Sequence, residues 1–138
     1  MHPGRFAALT PDKPAVVMSD TGETLTYAQL DERSLRLARV LYDAGLRPGD
    51  DVVVLAENSP RCFEAYWAAV RSGLYVTAVD FHLQPAEAAY IVDDCDATAL
   101  ITSAGQAATA TTIIDGTPRV RLRLAFAGDV AGHDDFEA

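Results

Sequence analysis

Asp80 is the residue of this 138-residue chain whose type and position best suit chemistry. It follows the apolar run Tyr75 to Val79, and open α/β sheets place their ligands at the carboxyl ends of strands. Its other available role is to cap the turn before Leu83-Gln84-Pro85. As an aspartate after a strand it also resembles the phosphoacceptor of a receiver domain. That chemistry needs paired acids after the first strand and a lysine after the fifth. Asp50-Asp51 precedes its strand instead, and the one lysine is Lys13, so the receiver reading fails. Asp50-Asp51 could hold a cation but reads as a solvated loop. Asp93, Asp94 and Asp96 sit at a predicted helix end, where acids oppose the helix dipole and stay in water.

Other chemistries lack their residues. Phosphate binding calls for a glycine-rich loop whose backbone N–H groups and lysine meet the anion, and the nine glycines are scattered singly. His2, His82 and His133 are far from one another and from the cysteines, so zinc-type spacing is absent. Ser19, Ser34, Ser59, Ser72 and Ser103 show no nucleophile-elbow pattern. Cys62 and Cys95 lie among apolar neighbours and read as small hydrophobes in a reducing compartment rather than as a disulfide or metal pair. The residues alone assign no catalytic, cofactor-binding or metal-ligating position.

The elements that would position such groups are clearer. Pro14 to Met18 reads as a strand, and Glu23 to Thr26 as its hairpin partner. Thr26 and Gln29 have capping-box spacing for a helix with Leu30, Leu37, Ala38 and Leu41 inward, Gly45 as its C-terminal cap and Pro48 as its stop. Val52-Val53-Val54-Leu55 is a continuous apolar run, as in a strand buried on both faces. Ser59-Pro60 opens a second helix, on which Phe63, Tyr66, Trp67 and Val70 recur at core spacing. Strand 75–79 follows, then a third helix from Pro85 with Ala88, Ile91, Val92 and Cys95 inward, then strand 99–101. The result is an α/β chain of βαβ units on a parallel sheet with helices on both faces. Beyond Thr102 the pattern weakens. Residues 106–112 suit either a poor helix or a connector, and Val120, Leu122 and Leu124 alternate with arginines as an exposed edge strand would.

Composition narrows the class. The length suits one compact domain able to bury a core without metals or disulfides. A net charge of −9 lacks the basic footprint that nucleic acid requires. No apolar run approaches a membrane span, and Met1 to Arg5 does not open a signal peptide, so a cytoplasmic location is expected. The acidic stretch 127–138 reads as a mobile tail.

Pro11-Asp12-Lys13-Pro14-Ala15, with Leu25-Thr26-Tyr27 and Leu30, resembles the opening of AMP-forming acyl-coenzyme A synthetases of the adenylate-forming, AMP-binding superfamily. Gly45-Leu46-Arg47-Pro48-Gly49-Asp50-Asp51-Val52 and Glu57-Asn58-Ser59 resemble the next block. Residues 75–95 resemble the third, most closely in fatty-acid ligases of actinobacteria. The likeness is good over 10–102 and loose over 103–138, within one partial domain spanning 1–138. Asp80 stands where the family has Asn; were donation required there, an ionised Asp could not supply it.

The resemblance implies the N-terminal portion of the adenylate-forming fold and a parent reaction of acid plus ATP to acyl-adenylate, then to acyl-CoA. ATP, Mg and coenzyme A would serve the complete enzyme. The family's lysine-containing phosphate loop, its aromatic-Gly-x-Thr-Glu stretch, its ribose-binding Asp and its lysine-bearing mobile domain find no match here, and Phe136-Glu137-Ala138 resembles the short helix before that loop. The expected chain is therefore a truncated or split ligase subdomain that is not catalytic alone. Its expected partners are the remaining subdomains, a downstream chain or a second copy. The alternatives are an interaction or remnant domain and an independent small-ligand α/β domain.

Overall fold

The structure is a computed structural model that describes residues 2–138; Met1 lies outside them. A short helix, α1 (Pro3–Leu9), precedes a hairpin of β1 (Pro14–Val17) and β2 (Thr24–Thr26). Then come α2 (Tyr27–Asp43), β3 (Asp51–Leu55), α3 (Pro60–Arg71), β4 (Tyr75–Ala78), α4 (Pro85–Asp94) and β5 (Ala97–Ser103). A 3-10 turn leads into α5 (Ala107–Thr112), followed by β6 (Leu122–Phe126) and the two-residue β7 (Asp134–Asp135). Strands β4-β3-β5-β6-β7 form one sheet in that order, parallel throughout. The hairpin is a separate antiparallel pair.

Local signals act as their residue types dictate. Thr26 Oγ1 accepts from the Gln29 N–H, and the Gln29 side chain accepts in return from the Thr26 N–H. Gly45, at φ +96°, ends α2 with its N–H on Tyr42 and the Leu46 N–H on Leu41, a Schellman closure. Ser59 caps α3, with Pro60 in the first turn.

Strand parity sorts the core. Val52 and Val54 face α2 and α3, packing with Leu37, Leu41, Ala65, Ala68 and Ala69. Val53 and Leu55 face α4, packing with Ala88, Val92 and Ile113. Helices therefore cover both faces, and β5 is buried along its whole length.

Four expectations are corrected. The inner face of α3 is Ala65, Ala68 and Ala69, whereas Phe63, Tyr66 and Val70 are exposed by 46%, 47% and 42%. The two stripes have the same spacing and lie two residues apart, about 200° around a helix, so periodicity alone could not choose between them. Alanines let α3 approach the sheet and α2 closely, and Trp67 half-buries against Val16, Leu25 and Leu30. Strand β6 is no edge, because it pairs with β5 and β7. Its alternating Arg123 turns back, with Nη2 donating to the Thr117 carbonyl at 2.8 Å and to Thr117 Oγ1 at 2.7 Å. The stretch 136–138 is not helical: Phe136 packs edge-on against Phe126 at 5.8 Å, and Glu137 pairs with Arg61 at 2.8 Å. Asp51 does not sit in a solvated loop; it begins β3 half-buried and accepts from Thr77 Oγ1 at 2.8 Å, and burial raises its pKa.

One alternative left open by the sequence is decided and one further helix is present. Residues 107–112 are helical, with Thr111 and Thr112 hydroxyls bonding carbonyls four residues back. Helix α1 escaped the sequence because seven residues carry no readable period; His2 caps it, and Phe6 stacks on Tyr27.

Candidate functional site

In a parallel sheet a crevice opens where two neighbouring strands send their following helices to opposite faces. Here those strands are β3 and β5. From β3 the chain passes through α3, on the Val52 face, to β4. From β5 it passes through α5, on the opposite face, to β6. Their carboxyl ends bring Glu57 beside Ser103, Gly105 and Gln106, residues 46 or more positions apart in sequence.

The crevice is filled from within. Glu57 accepts a hydrogen bond from the Ser103 hydroxyl, and a Cβ on Gly105 would overlap Glu57 Oε1. The Ser103 bond lowers the Glu57 pKa; partial burial opposes this, and Gln106 adds a smaller stabilising contact. Glu57 thus stands as an ionised acceptor. It can orient hydroxyl or N–H donors at the mouth of the crevice. Sequence reasoning passed over Glu57 because a lone Glu after a strand carries no signal; the sole clue was its place within the second family-like block.

Asp80 lies at the carboxyl end of β4, beyond the crevice and 61% exposed. It accepts from the His82 N–H at 2.9 Å and meets His82 Nδ1 at 2.8 Å, and these contacts lower its pKa. This is the turn-capping role. The observed contact with the backbone needs only an acceptor, so Asp serves there in place of Asn without having to donate.

The remaining candidates stay apart. Asp50 accepts from the Arg47 N–H, while Asp93 and Asp96 pair with Arg119. Cys62 and Cys95 are half-buried free thiols whose pKa values burial raises. Among the described residues, no group of three or more His, Cys, Asp or Glu side chains is placed to hold a metal ion, and no helix is long and apolar enough to cross a membrane.

A buried ion network was not anticipated at all. Glu64, 2% exposed on α3, accepts from Arg61 and, at 3.3 Å, from Arg33 of α2. Arg61 also reaches Glu137 at 2.8 Å and Glu23 at 3.7 Å, so one guanidinium ties α3 to the hairpin turn and the final residues.

Residues 4–135 match the AMP-binding enzyme family. The chain belongs to that family. It is 33% identical over 114 residues to a medium/long-chain-fatty-acid–CoA/3-oxocholest-4-en-26-oate–CoA ligase of Mycobacterium tuberculosis, a match covering 83% of this chain and 20% of the relative. A feruloyl-CoA synthase from Amycolatopsis is 35% identical over 133 residues, covering 96% of this chain and 26% of the relative. The fold superposes with a TM-score of 0.90 on a structure described as a long-chain-fatty-acid CoA ligase from Rhodopseudomonas palustris, at 24% identity, covering 98% of this chain and 34% of the other. That likeness speaks for the fold alone. The chain spans about a fifth to a quarter of the length of the curated relatives it matches.

Proposed function

We propose that residues 1–138 form the N-terminal subdomain of a cytoplasmic acid–CoA ligase, as a partial AMP-binding domain that performs no catalysis alone. The complete enzyme would join a fatty or related carboxylic acid to ATP, releasing pyrophosphate, and then pass the acyl group to coenzyme A. The relatives named for fatty, steroid-derived and ferulic acids support a carboxylic acid as the substrate class. The observation carrying the proposal is the match to the family over residues 4–135 by a chain that covers 20% to 26% of ligase relatives. Magnesium, ATP and coenzyme A would then be bound mainly by the remaining subdomains, which are the proposed partners.

Pyrophosphate exchange with a panel of fatty and cinnamic acids tests the proposal. The isolated chain is expected to give no acid-dependent exchange, because its sequence has no glycine-rich loop bearing a lysine to stabilise the charge on the transferring phosphate. Acid-dependent exchange above background, from protein free of host ligases, would overturn it.

A further inference from the structure

Three residues on the α4 face of the sheet form a polar cluster that the ligase reading does not use. Asp51 begins β3, Thr77 lies in β4 opposite Val53, and Cys95 closes α4. Side chains two apart on a strand share a face, so Asp51 and Thr77 lie on the side of Val53. Cys95 packs there against the cluster of Val53, Leu55 and Val92. The turn after Cys95 leads to Ala97, the β5 partner of Asp51.

The Thr77 hydroxyl donates to Asp51 Oδ2 at 2.8 Å and meets the Cys95 thiol. Asp51 Oδ1 is buried without a hydrogen-bond partner, and no Arg, Lys or His pairs with this carboxylate among the described residues. The other acids around Cys95 differ: Asp93 and Asp96 share Arg119, and Asp94 is exposed. Asp51 is the uncompensated charge that acts on the thiol.

A hydroxyl has one proton to give. With that proton held by Asp51, the Thr77 oxygen can accept from the Cys95 S–H but cannot donate to a thiolate. The Val92 carbonyl, at 3.4 Å, is a further acceptor for the S–H. Ionising Cys95 would also set a second negative charge beside Asp51 in a half-buried place. Burial raises the Cys95 pKa most and the Asp51 charge adds to it, outweighing the opposite pull of Thr77.

We infer that Asp51 and Thr77 guard Cys95, keeping it a neutral thiol that electrophiles attack slowly. The thiolate is the nucleophile, so a charge that suppresses it protects a cysteine that is only half-buried. The guard sits toward the amino ends of the strands, away from the β3/β5 crevice, and stands independently of the ligase reading.

Iodoacetamide alkylation across a range of pH, followed at Cys62 and Cys95 by peptide mass spectrometry, tests the guard. The thiolate forms the S–C bond and releases iodide, so each profile reports its own thiol. In the wild type the Cys95 midpoint should lie above the ordinary thiol value of 9.0. Asp51→Asn keeps the shape and an acceptor for Thr77 while removing the charge, and should lower that midpoint by about 0.5 or more. The Cys62 profile should stay where it is. Thr77→Val removes the hydroxyl and leaves the charge, and should not lower the midpoint. Circular dichroism confirms that each variant is folded. A wild-type Cys95 midpoint at or below 9.0 overturns the inference whether or not the variants fold. A folded Asp51→Asn with the wild-type Cys95 profile overturns it as well. Thr77→Val lowering the midpoint as far as Asp51→Asn would assign the effect to loosened packing, and the guard would fall with it.

Discussion

Replacing Glu64 by alanine tests the tie between the two helices on the Val52 face of the sheet. The carboxylate is 2% exposed and accepts from both Arg61 and Arg33. Removing one partner of a buried ion pair costs about 3–5 kcal/mol when the other charge is stranded. Here the stranding is incomplete. Arg61 keeps Glu137 and Glu23, both half-exposed, and Arg33 is 35% exposed and can turn to water. The expected loss is therefore about 2–3 kcal/mol, or about 6–12 °C in Tm for a domain of this size. Glu64→Gln behaves differently, because it keeps the shape and an acceptor while shedding the charge. Burial pushes the Glu64 pKa up, and Arg61 and Arg33 offset that only in part. The folded carboxyl then binds its proton more tightly than the unfolded one, so its stabilising contribution is complete below the unfolded value of 4.5 and is lost as pH rises through the folded value. Glu64→Gln should cost less than about 1 kcal/mol at pH 7. Relative to the wild type it should gain stability as pH rises from the unfolded value. Urea unfolding followed by the fluorescence of Trp67, the single tryptophan, measures both variants across that range. Alanine within about 0.5 kcal/mol of wild type, the usual range for an exposed surface change, would refute the buried network. Glutamine as costly as alanine would refute the sign of the pKa argument.

Tyr66→Ala and Phe63→Ala should each cost about 1 kcal/mol or less, since both side chains are half in water already, whereas Ala68→Leu should cost about 1–3 kcal/mol by overpacking the sheet contact. Urea midpoints in the reverse order would restore the aromatic face as core. Gly105→Ala should expel the Glu57 carboxylate from Ser103 and return its pKa toward 4.5; a carbon-13 titration of Glu57 that matches wild type would disprove the contact. Because the folded Glu57 pKa is lowered, the stability lost with that contact is present above 4.5 and vanishes as pH falls through the folded value. Thr26→Ala should cost about 1 kcal/mol by opening the capping box of α2, seen as a lower urea midpoint, and an unchanged midpoint would show that Gln29 and water suffice.

What the sequence determined by itself was local or periodic. The capping box at Thr26 and Gln29, the Gly45 closure and the Ser59-Pro60 start each need a few adjacent residues, and backbone stereochemistry leaves them little choice. The apolar run Val52 to Leu55 announced a strand buried on both faces, and with two βαβ repeats it was enough for the fold class, while the family likeness rested on the residue blocks within 11–30, 45–59 and 75–95. Tertiary structure decided whatever compares distant residues. Two stripes on α3 satisfy the same helical period, and only the close fit of alanines against the sheet and α2 picks the inner one. Arg121 and Arg123 mark β6 as an edge in sequence, yet β7 pairs with it and Thr117 receives the Arg123 guanidinium. Glu57 and Ser103 meet because β3 and β5 lie side by side and send their helices to opposite faces, a relation set by strand order. Glu64 can be buried on α3 because Arg33, 31 residues earlier, arrives from α2. A buried charge needs its partner in space, and a linear pattern does not contain that distance.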